Sequence, residues 1–411
     1  MGWAGVGELL RRLVGVRQLV VSGARLTERG VVVAVRPRQR RPQCGVCGRP
    51  GPHYDTSQER VWRHLSLGRT VFWLSYAPRR VRCKEHGVKV EKVPWAGHDS
   101  HFTHSFEEMA AWLCQRMDKT AVTRLMGINW RTVGTLLERV VQAKLDKERL
   151  EQLYVIGVDE LSFRRHHEYV TVVVDHLKKR VVWVGEGKGE QTLLTFFDAL
   201  GKERSQQLTH VTMDMGAAYQ AAVQARAPQA QKVFDRFHVQ KLASEAVDAV
   251  RRQEVNLQGP PEKAQALKHS RWALLKNPWN LTQRQGEKLS EVARTNRRLF
   301  RAYLLKESLA MGLDYRQRGR AEQHLDGWAQ WASHSKLKPF VKLSKTIRRF
   351  KEGILAYTTT GLSNGLVEGL NNKIRLITRR AYGFHGSQAL MAMIYLCCGG
   401  LVLSPALPML T

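Results

Sequence analysis

The sequence predicts a multidomain α+β protein, because the spacing of its apolar residues changes several times along 411 residues. Short β-rich runs come first, a helical stretch follows, and three β-rich runs, a helix and a fourth strand then indicate an α/β layer. A long helical stretch separates this layer from the final helices. At ~150 residues per domain, the length suggests two to three domains. We place the segment boundaries at 1–100, 101–150, 151–240, 241–350 and 351–411.

The charge balance narrows the class of partner. The chain has 66 Lys and Arg against 36 Asp and Glu, a net charge of +30, and 43% of its residues are hydrophobic. That apolar content excludes wholesale disorder. A basic excess spread over the whole chain favours a nucleic-acid partner, because Lys and Arg replace the counterions on phosphates. Charge that serves only solubility is the alternative.

Two cysteine motifs in the β-rich segment predict a structural zinc site. Each C-x-x-[CH] pair offers two ligands from one turn, and thiolates suit Zn²⁺. A disulfide is the alternative, and a reducing cytoplasm argues against it. A closed four-ligand site has no open position for catalysis, so zinc would help to fold a segment with little core of its own. The ligands would be Cys44, Cys47, Cys83 and His86.

Residues 118–141 have the pattern of a helix-turn-helix. Ala121 and Leu125 would face the core from a short first helix, and Gly127 would permit the turn. Asn129 would cap the second helix, which would bury Val133, Leu136 and Leu137. An ordinary αα-hairpin is the alternative. The side chains left for a DNA groove would be Trp130, Arg131, Thr132 and Thr135.

Targeting signals are not evident in the sequence. The chain opens with MGWAGVGELLRR, which has two arginines where a secretory signal would be apolar. The most apolar stretch, Ala389 to Leu403, is 15 residues long, short of the ~20 that cross a bilayer. We therefore expect a buried C-terminal helix and a soluble cytoplasmic protein with no membrane partner.

Acidic residues at strand ends are the candidate catalytic groups. Asp159 lies in the first strand of the α/β segment, and Asp214 ends the fourth. Two such carboxylates can bridge two Mg²⁺ ions, which activate a water or hydroxyl for phosphodiester displacement. Glu368 is the best third ligand, being one of two acidic residues between Lys336 and Tyr382. For each carboxylate, a solvated surface charge is the alternative.

The helix that carries Glu368 also offers polar side chains. Asn372 and Arg375 follow Glu368 by four and seven residues, so they share its face and could meet the same phosphate backbone.

Taken together, these motifs resemble the ISL-three family of bacterial insertion-sequence transposases. The resemblance covers about residues 40 to 390 and includes VDE, VTMDMGAAY, FDRFHVQKL and SNGLVEGLNNKIRLITRRAYGF. It implies a ribonuclease H-like catalytic domain with a DDE triad. Matched motif by motif, VDE assigns Asp159, TMDMG assigns Asp214 and SNGLVEGLN assigns Glu368.

The resemblance also gives a meaning to the long separation of the second and third acids. Residues 241–350 would be an all-helical insertion, whose tryptophans could stack on a flipped base or simply pack a core. Asp235 and His238 resemble a [CD]-x-x-H element, in which His238 would contact DNA or order Asp235. The expected DNA contacts outside the helix-turn-helix are His238, Asn372, Arg375, Arg379 and Arg380.

The resulting expectation is a DNA transposase. It would bind terminal inverted repeats and target DNA, carry one structural Zn²⁺ and use two Mg²⁺, with Mn²⁺ as a possible substitute. Cleavage and strand transfer would take place in a homodimer or larger synaptic assembly, associated with the bacterial nucleoid. A zinc and helix-turn-helix regulator without catalysis is one alternative, and a ribonuclease H-like structure-specific nuclease is another.

Overall fold

In a computed structural model of the protein, the described residues are 6–16, 18–164, 168–257, 267, 269–381, 384 and 386–404. They form two compact units. The first comprises the chain up to Asp146 and the segment from Arg380 onward, and the second comprises Lys147–Arg379. The segment 351–411 predicted from the sequence contributes residues to both units, because the division falls at Arg380.

The first unit contains two small sheets. The first has the strand order β1-β2-β5-β4 and the second the order β3-β6-β7. Their elements are α1 (Val6–Val14), β1 (Leu19–Thr27), β2 (Gly30–Pro37), β3 (His53–Thr56), β4 (Arg60–Leu67), β5 (Thr70–Tyr76), β6 (Arg79–Cys83) and β7 (Gly87–Val90).

The β-rich segment has a core of its own, contrary to the sequence-based expectation. The rings of Trp62 and Trp95 pack edge to face with centroids 5.7 Å apart. Val33 and Leu74 are fully buried in the same cluster. Two buried tryptophans supply much apolar area to a small domain, so zinc is not the sole support of this fold.

Three helices follow these strands, and a fourth from the C-terminus joins them. They are α2 (His104–Cys114), α3 (Lys119–Met126) and α4 (Trp130–Lys144), with the C-terminal helix Ser387–Cys398, the last of sixteen described helices and therefore α16. The C-terminal helix packs on α4, and Gln115 Nε2 donates to the Leu396 carbonyl at 2.7 Å. In the described residues, no helix is long and apolar enough to cross a membrane.

The turn between α3 and α4 forms as the sequence predicts. Gly127 has φ +59°, a left-handed conformation that favours glycine, and Asn129 Oδ1 accepts from Thr132 N at 2.8 Å. The core contacts of α3 differ from the expectation. Leu125 is 65% exposed, because Val122 and Met126 form the buried stripe at i, i+4.

The second unit is built on a five-stranded sheet of order β10-β9-β8-β11-β12. The strands β8, β9 and β10 are antiparallel neighbours, whereas β11 runs parallel to both β8 and β12. The fifth strand, β12, was missed by the sequence analysis because only its last two residues are apolar. The strands are β8 (Val155–Arg164), β9 (Glu168–Asp175), β10 (Arg180–Glu186), β11 (His210–Met213) and β12 (Gln231–Phe234).

Helices surround this sheet and build the long helical region. Those between the strands are α5 (Glu190–Leu200), α6 (Lys202–Ser205) and α7 (Ala217–Arg226), and the rest are α8 (Arg236–Leu257), α9 (Arg271–Leu275), α10 (Gln283–Thr295), α11 (Arg297–Gly312), α12 (Arg318–His334), α13 (Lys338–Arg349), α14 (Lys351–Thr360) and α15 (Gly365–Arg380). Residues of the sheet and of α8–α14 share one buried cluster, so the helical region is packed onto the α/β layer.

The tryptophans of the helical region divide into two groups. Trp328 is buried and donates to the Leu305 carbonyl at 2.7 Å, as core packing requires. Trp272 is 57% exposed, Trp279 is 79% exposed and Trp331 is 40% exposed.

Candidate active site and metal centre

The cysteine motifs converge in the first unit as the spacing predicts. Cys47 Sγ lies 3.7 Å from Cys83 Sγ, which in turn lies 3.5 Å from His86 Nδ1. These separations match the ~3.8 Å ligand-to-ligand edge of a tetrahedron with ~2.3 Å Zn–S bonds, and they are far too long for a disulfide. The candidate ligand atoms of Cys44, Cys47, Cys83 and His86 all lie within 4.8 Å of one another.

The chemistry of this group also fits zinc. A hydrogen bond with the His86 side chain lowers the pKa of Cys83 to about 6, which favours the thiolate that binds metal. Cys44 is buried, and its N–H donates to the Arg49 carbonyl at 2.8 Å, which closes the first turn of the site. The residues present therefore fit one structural Zn²⁺.

The outward side of α4 carries the side chains predicted to meet DNA. Arg131 and Thr135 are exposed, whereas Trp130 and Thr132 are partly buried. Lys119 Nζ lies 3.4 Å from the centroid of the Trp130 ring, so this indole is held against α3. The Thr132 hydroxyl donates to Asn129 Oδ1 at 2.8 Å as part of the helix cap.

In the second unit, Asp159 lies in β8, and Asp214 directly follows the neighbouring parallel strand β11 at a matching height. Gly157 in β8 pairs with Thr212 in β11, and each aspartate lies two residues further along its strand direction. Burial raises the pKa of Asp159, and the charge of Asp214 adds to this rise. Strand register alone therefore brings the first two predicted acids together.

The helix of Glu368 is seated on the same strands by close packing at Gly157. A Cβ on Gly157 would collide with Val367 Cγ2 and would come 2.8 Å from His176 Nε2. Val367 is fully buried and precedes Glu368 directly. The missing side chain at Gly157 thus permits α15 to approach β8 two residues before Asp159.

Asn371 forms a second connection between α15 and β8. Its Nδ2 donates to Asp159 Oδ2 at 2.7 Å, while Asp159 Oδ1 accepts from Glu160 N at 2.9 Å. Both oxygens of the Asp159 carboxylate are therefore held, which fixes the plane of the group. Asn371 lies three residues after Glu368, on an adjoining part of the helix.

A third connection links the beginning of α15 to β11. Thr212 Oγ1 donates to Asn364 Oδ1 at 2.8 Å, and the His176 ring lies 2.8 Å from the same hydroxyl. The Asn364 carbonyl accepts from Glu368 N at 2.7 Å, so this residue begins the helix that carries the third acid. Asn364 is 2% exposed, which removes water as a competitor for these bonds.

Burial and neighbouring negative charges raise the pKa values of several acidic groups in this region. Burial, together with the charges of Asp214 and Asp159, raises the pKa of Glu160 to about 7. Burial also raises the pKa of Asp235, and the charge of Glu368 adds to this effect. Like charges gathered in a partly buried site need a positive partner.

His238 is one candidate for that partner on the protein side. Burial raises the pKa of Asp159 and of Asp235, and nearby His238 opposes both rises. The residue stands at the beginning of α8, directly after β12 and Asp235. This position agrees with the role of ordering Asp235 and equally permits contact with a bound phosphate.

The acids are more widely spread than the zinc ligands. Among the described residues, the cysteine–histidine group is the single set of three or more such side chains whose ligand atoms all lie within 4.8 Å. The donor set of the acidic site nevertheless suits Mg²⁺, because every candidate ligand is an oxygen. In addition, Asn371 Oδ1 is a buried acceptor with no hydrogen-bond partner in the described structure. Such an atom needs a ligand or an ordered water.

The exposed face of α15 carries the remaining predicted DNA contacts. Glu368, Asn372, Arg375 and Arg379 are all exposed, and Arg375 Nη1 donates to Asn372 Oδ1 at 3.0 Å. Arg380 belongs to the first unit and is only partly exposed. Its guanidinium donates to the Cys114 carbonyl at 2.8 Å, a structural contact.

Sequence reasoning missed three members of this site. Glu160 was visible in VDE but was not assigned a role, Asn371 was passed over for its neighbour Asn372, and Asn364 was quoted only within a motif. Helical spacing gave a usable signal for Asn371, which follows Glu368 by three residues. The hydrogen bond between Asn364 and Thr212 joins residues 152 positions apart, and no local pattern predicts it.

Comparison with known proteins assigns each part of the chain. A family model described as a transposase, that of the DDE proteins of family ISL3, matches residues 156–394. The helix-turn-helix domain of transposase family ISL3 matches residues 91–141. The zinc finger of transposases of IS204, IS1001, IS1096 and IS1165 matches residues 40–86.

Curated relatives cover nearly the whole chain. The transposase for insertion sequence element IS1557 of Mycobacterium tuberculosis is 42% identical over 397 residues, which cover 90% of this chain and 89% of the relative. The transposase for insertion sequence element IS1001 of Bordetella parapertussis is 30% identical over 364 residues, which cover 88% of this chain and 89% of the relative.

A solved structure gives a much weaker likeness. It belongs to a simian T-cell lymphotropic virus intasome in complex with the PP2A regulatory subunit B56 gamma. The match has 16% identity and a TM-score of 0.17, and it covers 42% of this chain and 70% of the other. A score this low supports no conclusion about fold. The family models and the curated relatives do decide the identity: this chain belongs to the ISL3 family of insertion-sequence transposases.

Proposed function

We propose that this protein is the DDE transposase of a bacterial insertion sequence, with Asp159, Asp214 and Glu368 as its catalytic acids. The observation that carries the proposal is the seating of α15 on both acid-bearing strands. Three independent contacts hold this helix to β8 and β11, through Val367, Asn371 and Asn364. Glu368 directly follows Val367 on this helix and lies three residues before Asn371.

The sheet of the second unit supports a ribonuclease H-like fold. Its three antiparallel strands are followed by two parallel strands on the far side of β8. In this arrangement Asp159 lies on the central strand and Asp214 follows its neighbour. The helical region between Asp214 and Glu368 is then an insertion that packs against the sheet.

The oxygen ligands of the site fit a pair of Mg²⁺ ions, with Mn²⁺ as a substitute. Bound there, the ions would activate water or a 3′-hydroxyl and stabilise the leaving 3′ oxygen. The protein's own contribution is to hold the carboxylates in place before DNA arrives, chiefly through the bonds to both Asp159 oxygens. Because water or a 3′-hydroxyl would attack the phosphodiester directly, no serine or tyrosine nucleophile is needed and no covalent protein–DNA intermediate would form.

The first unit is proposed to recognise the terminal inverted repeats. Arg131 and Thr135 on α4 are exposed and are available for base edges in a major groove. On α15, Arg375 and Arg379 would contact phosphates near the cut, and His238 would do so from the beginning of α8. Because two transposon ends must be joined to one target, we propose a homodimer or larger synaptic assembly acting on the bacterial nucleoid.

The decisive experiment compares wild type with Asp159→Ala on labelled repeat ends, with and without Mg²⁺. We expect wild type to give joined products, and the variant to bind the ends but neither cut nor join them. Cutting by the variant in Mg²⁺ would refute the assignment. A shift without cuts in wild type would indicate a regulator, and cuts without joining would indicate a structure-specific nuclease.

A further inference from the structure

A basic stripe runs along α13, in the helical region of the second unit. It consists of Lys338, Lys342, Lys345 and Arg349, which are spaced i, i+4, i+7 and i+11 and are all exposed. At 100° per residue these positions lie within about 60° of one another on the helix. The opposite face buries Phe340, Leu343 and Ile347 against the core.

Several other basic side chains of this unit have acidic partners, whereas the four stripe residues have none in the described structure. Lys351 binds Glu322 and Asp326, and Arg318 binds Glu352. In the described structure, none of the four stripe residues forms an ion pair, although Arg349 lies over the Phe350 ring. The helix itself has no acidic residue. Four neighbouring uncompensated charges repel one another, and a polyanion would relieve this repulsion.

We propose that the α13 stripe is a DNA-backbone binding surface, separate from the helix-turn-helix and from the acidic site. Its four charges span roughly 16 Å along the helix at ~1.5 Å per residue. That length corresponds to roughly five phosphate steps of one DNA strand at ~3.4 Å each. Because lysines contribute three of the four charges, the surface suits phosphates rather than specific bases.

The test measures the salt dependence of binding to a duplex of unrelated sequence, with the full zinc-loaded chain and no added Mg²⁺. The variant changes all four stripe residues to Gln. The slope of log K against log salt is negative, and each lost phosphate contact reduces its magnitude by ~0.9, so we expect the magnitude to fall by about 2 to 4. Because no chemistry is measured, the result is independent of the proposed catalytic triad.

A matched control removes the same charge from residues that have ion-pair partners. Changing Arg226, Lys288, Arg318 and Lys351 to Gln alters four cations that bind acids in this unit. We expect this control to change the slope by less than 1. An unchanged slope in the stripe variant, or an equal decrease in the control, would overturn the proposal. Thermal melting of both variants confirms that they are folded.

A different observation concerns Asn371. This side chain is 1% exposed and donates to Asp159, yet its Oδ1 has no hydrogen-bond partner in the described structure. A buried acceptor without a partner costs ~1–3 kcal/mol, so it needs a reason. Since the amide oxygen and nitrogen of one side chain are ~2.3 Å apart, Oδ1 must lie within about 5 Å of the Asp159 carboxylate.

We infer that Asn371 is a positioning residue of the divalent-ion site, an inference that rests on the proposed function. Its Nδ2 fixes the Asp159 carboxylate, and its Oδ1 accepts from a water in the coordination shell of the ion. An amide that contacts both a ligand and the ion's water acts on affinity for the ion. A merely structural asparagine would act only on stability.

The test measures Mn²⁺ binding to the zinc-loaded chain without DNA, by calorimetry and by the rise in melting temperature. We expect Asn371→Ala and Asn371→Ser to weaken Mn²⁺ binding ~10–100-fold. Asn280, which is exposed and lies outside the acidic site, provides the control, because Asn280→Ala should leave Mn²⁺ binding unchanged. Melting without Mn²⁺ reports whether each variant is folded.

Mn²⁺ binding by the Asp159 and Asn371 variants distinguishes an error in the proposed divalent-ion site from an error in the role of Asn371. If Asp159→Asn retains full Mn²⁺ affinity, the divalent-ion site itself is wrong. If Asp159→Asn loses Mn²⁺ while both folded Asn371 variants retain wild-type affinity, the role given to Asn371 is wrong and the site stands.

Discussion

The zinc site and the acidic site of this protein are assembled in opposite ways. The four zinc ligands come from two short turns, and their ligand atoms already lie within 4.8 Å of one another. The acids come from three elements distant in sequence. Burial, together with the charges of Asp214 and Asp159, raises the pKa of Glu160 to about 7. The zinc site is specified by local spacing, whereas the acidic site depends on packing that holds like charges together against their repulsion.

The largest effect should come from removing a proposed catalytic acid. Asp214→Asn preserves shape but removes one of the charges proposed to hold the divalent ions, so we expect DNA cleavage to fall below detection. DNA affinity without Mg²⁺ should stay within about twofold of wild type. Gel assays of cutting and fluorescence anisotropy of binding measure the two quantities. The exposed Asp198, which pairs with Arg226, is the control, since Asp198→Asn should still cut.

The next largest effect should come from the zinc ligands. Cys47→Ser removes one of four ligands, so we expect loss of the bound zinc. We also expect affinity for the repeat ends to fall by about tenfold or more. The second unit should keep its melting transition, because its core is separate. Metal analysis and calorimetry measure these effects. A variant that retained one zinc per chain would contradict the ligand set.

A smaller effect is expected at the contact between β8 and α15. Gly157→Ala places a methyl group against Val367, and overpacking of this kind costs ~1–3 kcal/mol. The displaced helix should also reduce cleavage. Gly369, in the same helix as Glu368, has open space around it, so Gly369→Ala should stabilise by up to about 1 kcal/mol. Chemical denaturation measures the change in the free energy of unfolding, which should be negative for Gly157→Ala and positive for Gly369→Ala.

The smallest effect should follow from the hydroxyl that joins β11 to α15. Thr212→Val keeps the shape but leaves Asn364 Oδ1 without its donor, at a cost of ~1–3 kcal/mol. We expect a modest loss of stability and a reduction in cleavage of less than about tenfold. Thr346, whose hydroxyl contacts only a backbone carbonyl at 3.4 Å, provides a control variant, Thr346→Val, that should change neither quantity.

The sequence was most informative where structure is local. The spacing of Cys44 to His86 predicted one zinc site, and Gly127 and Asn129 predicted the turn and the cap of the helix-turn-helix. Alternating or continuous apolar runs located β8 to β11. These features depend on residues near one another in the chain, so a single sequence contains the signal.

Long-range packing was the part that the sequence could not supply. Leu125 was expected in the core, but a choice between adjacent apolar residues depends on the partner helix, and Val122 and Met126 are buried instead. The hydrogen bond from Asn371 to Asp159 spans 212 positions. The strand β12 has too few apolar residues to be recognised without its neighbour β11.

The order of the two units along the chain has a consequence for synthesis. The first unit begins before the second and is completed after it, because α16 packs on α4. During translation, the surface of α4 that packs on α16 therefore stays exposed until more than 250 further residues have been synthesised. A prematurely terminated product would expose the apolar surface of α4, which proteases and chaperones recognise. The first unit thus reaches its finished form only in chains that also carry the entire acidic site.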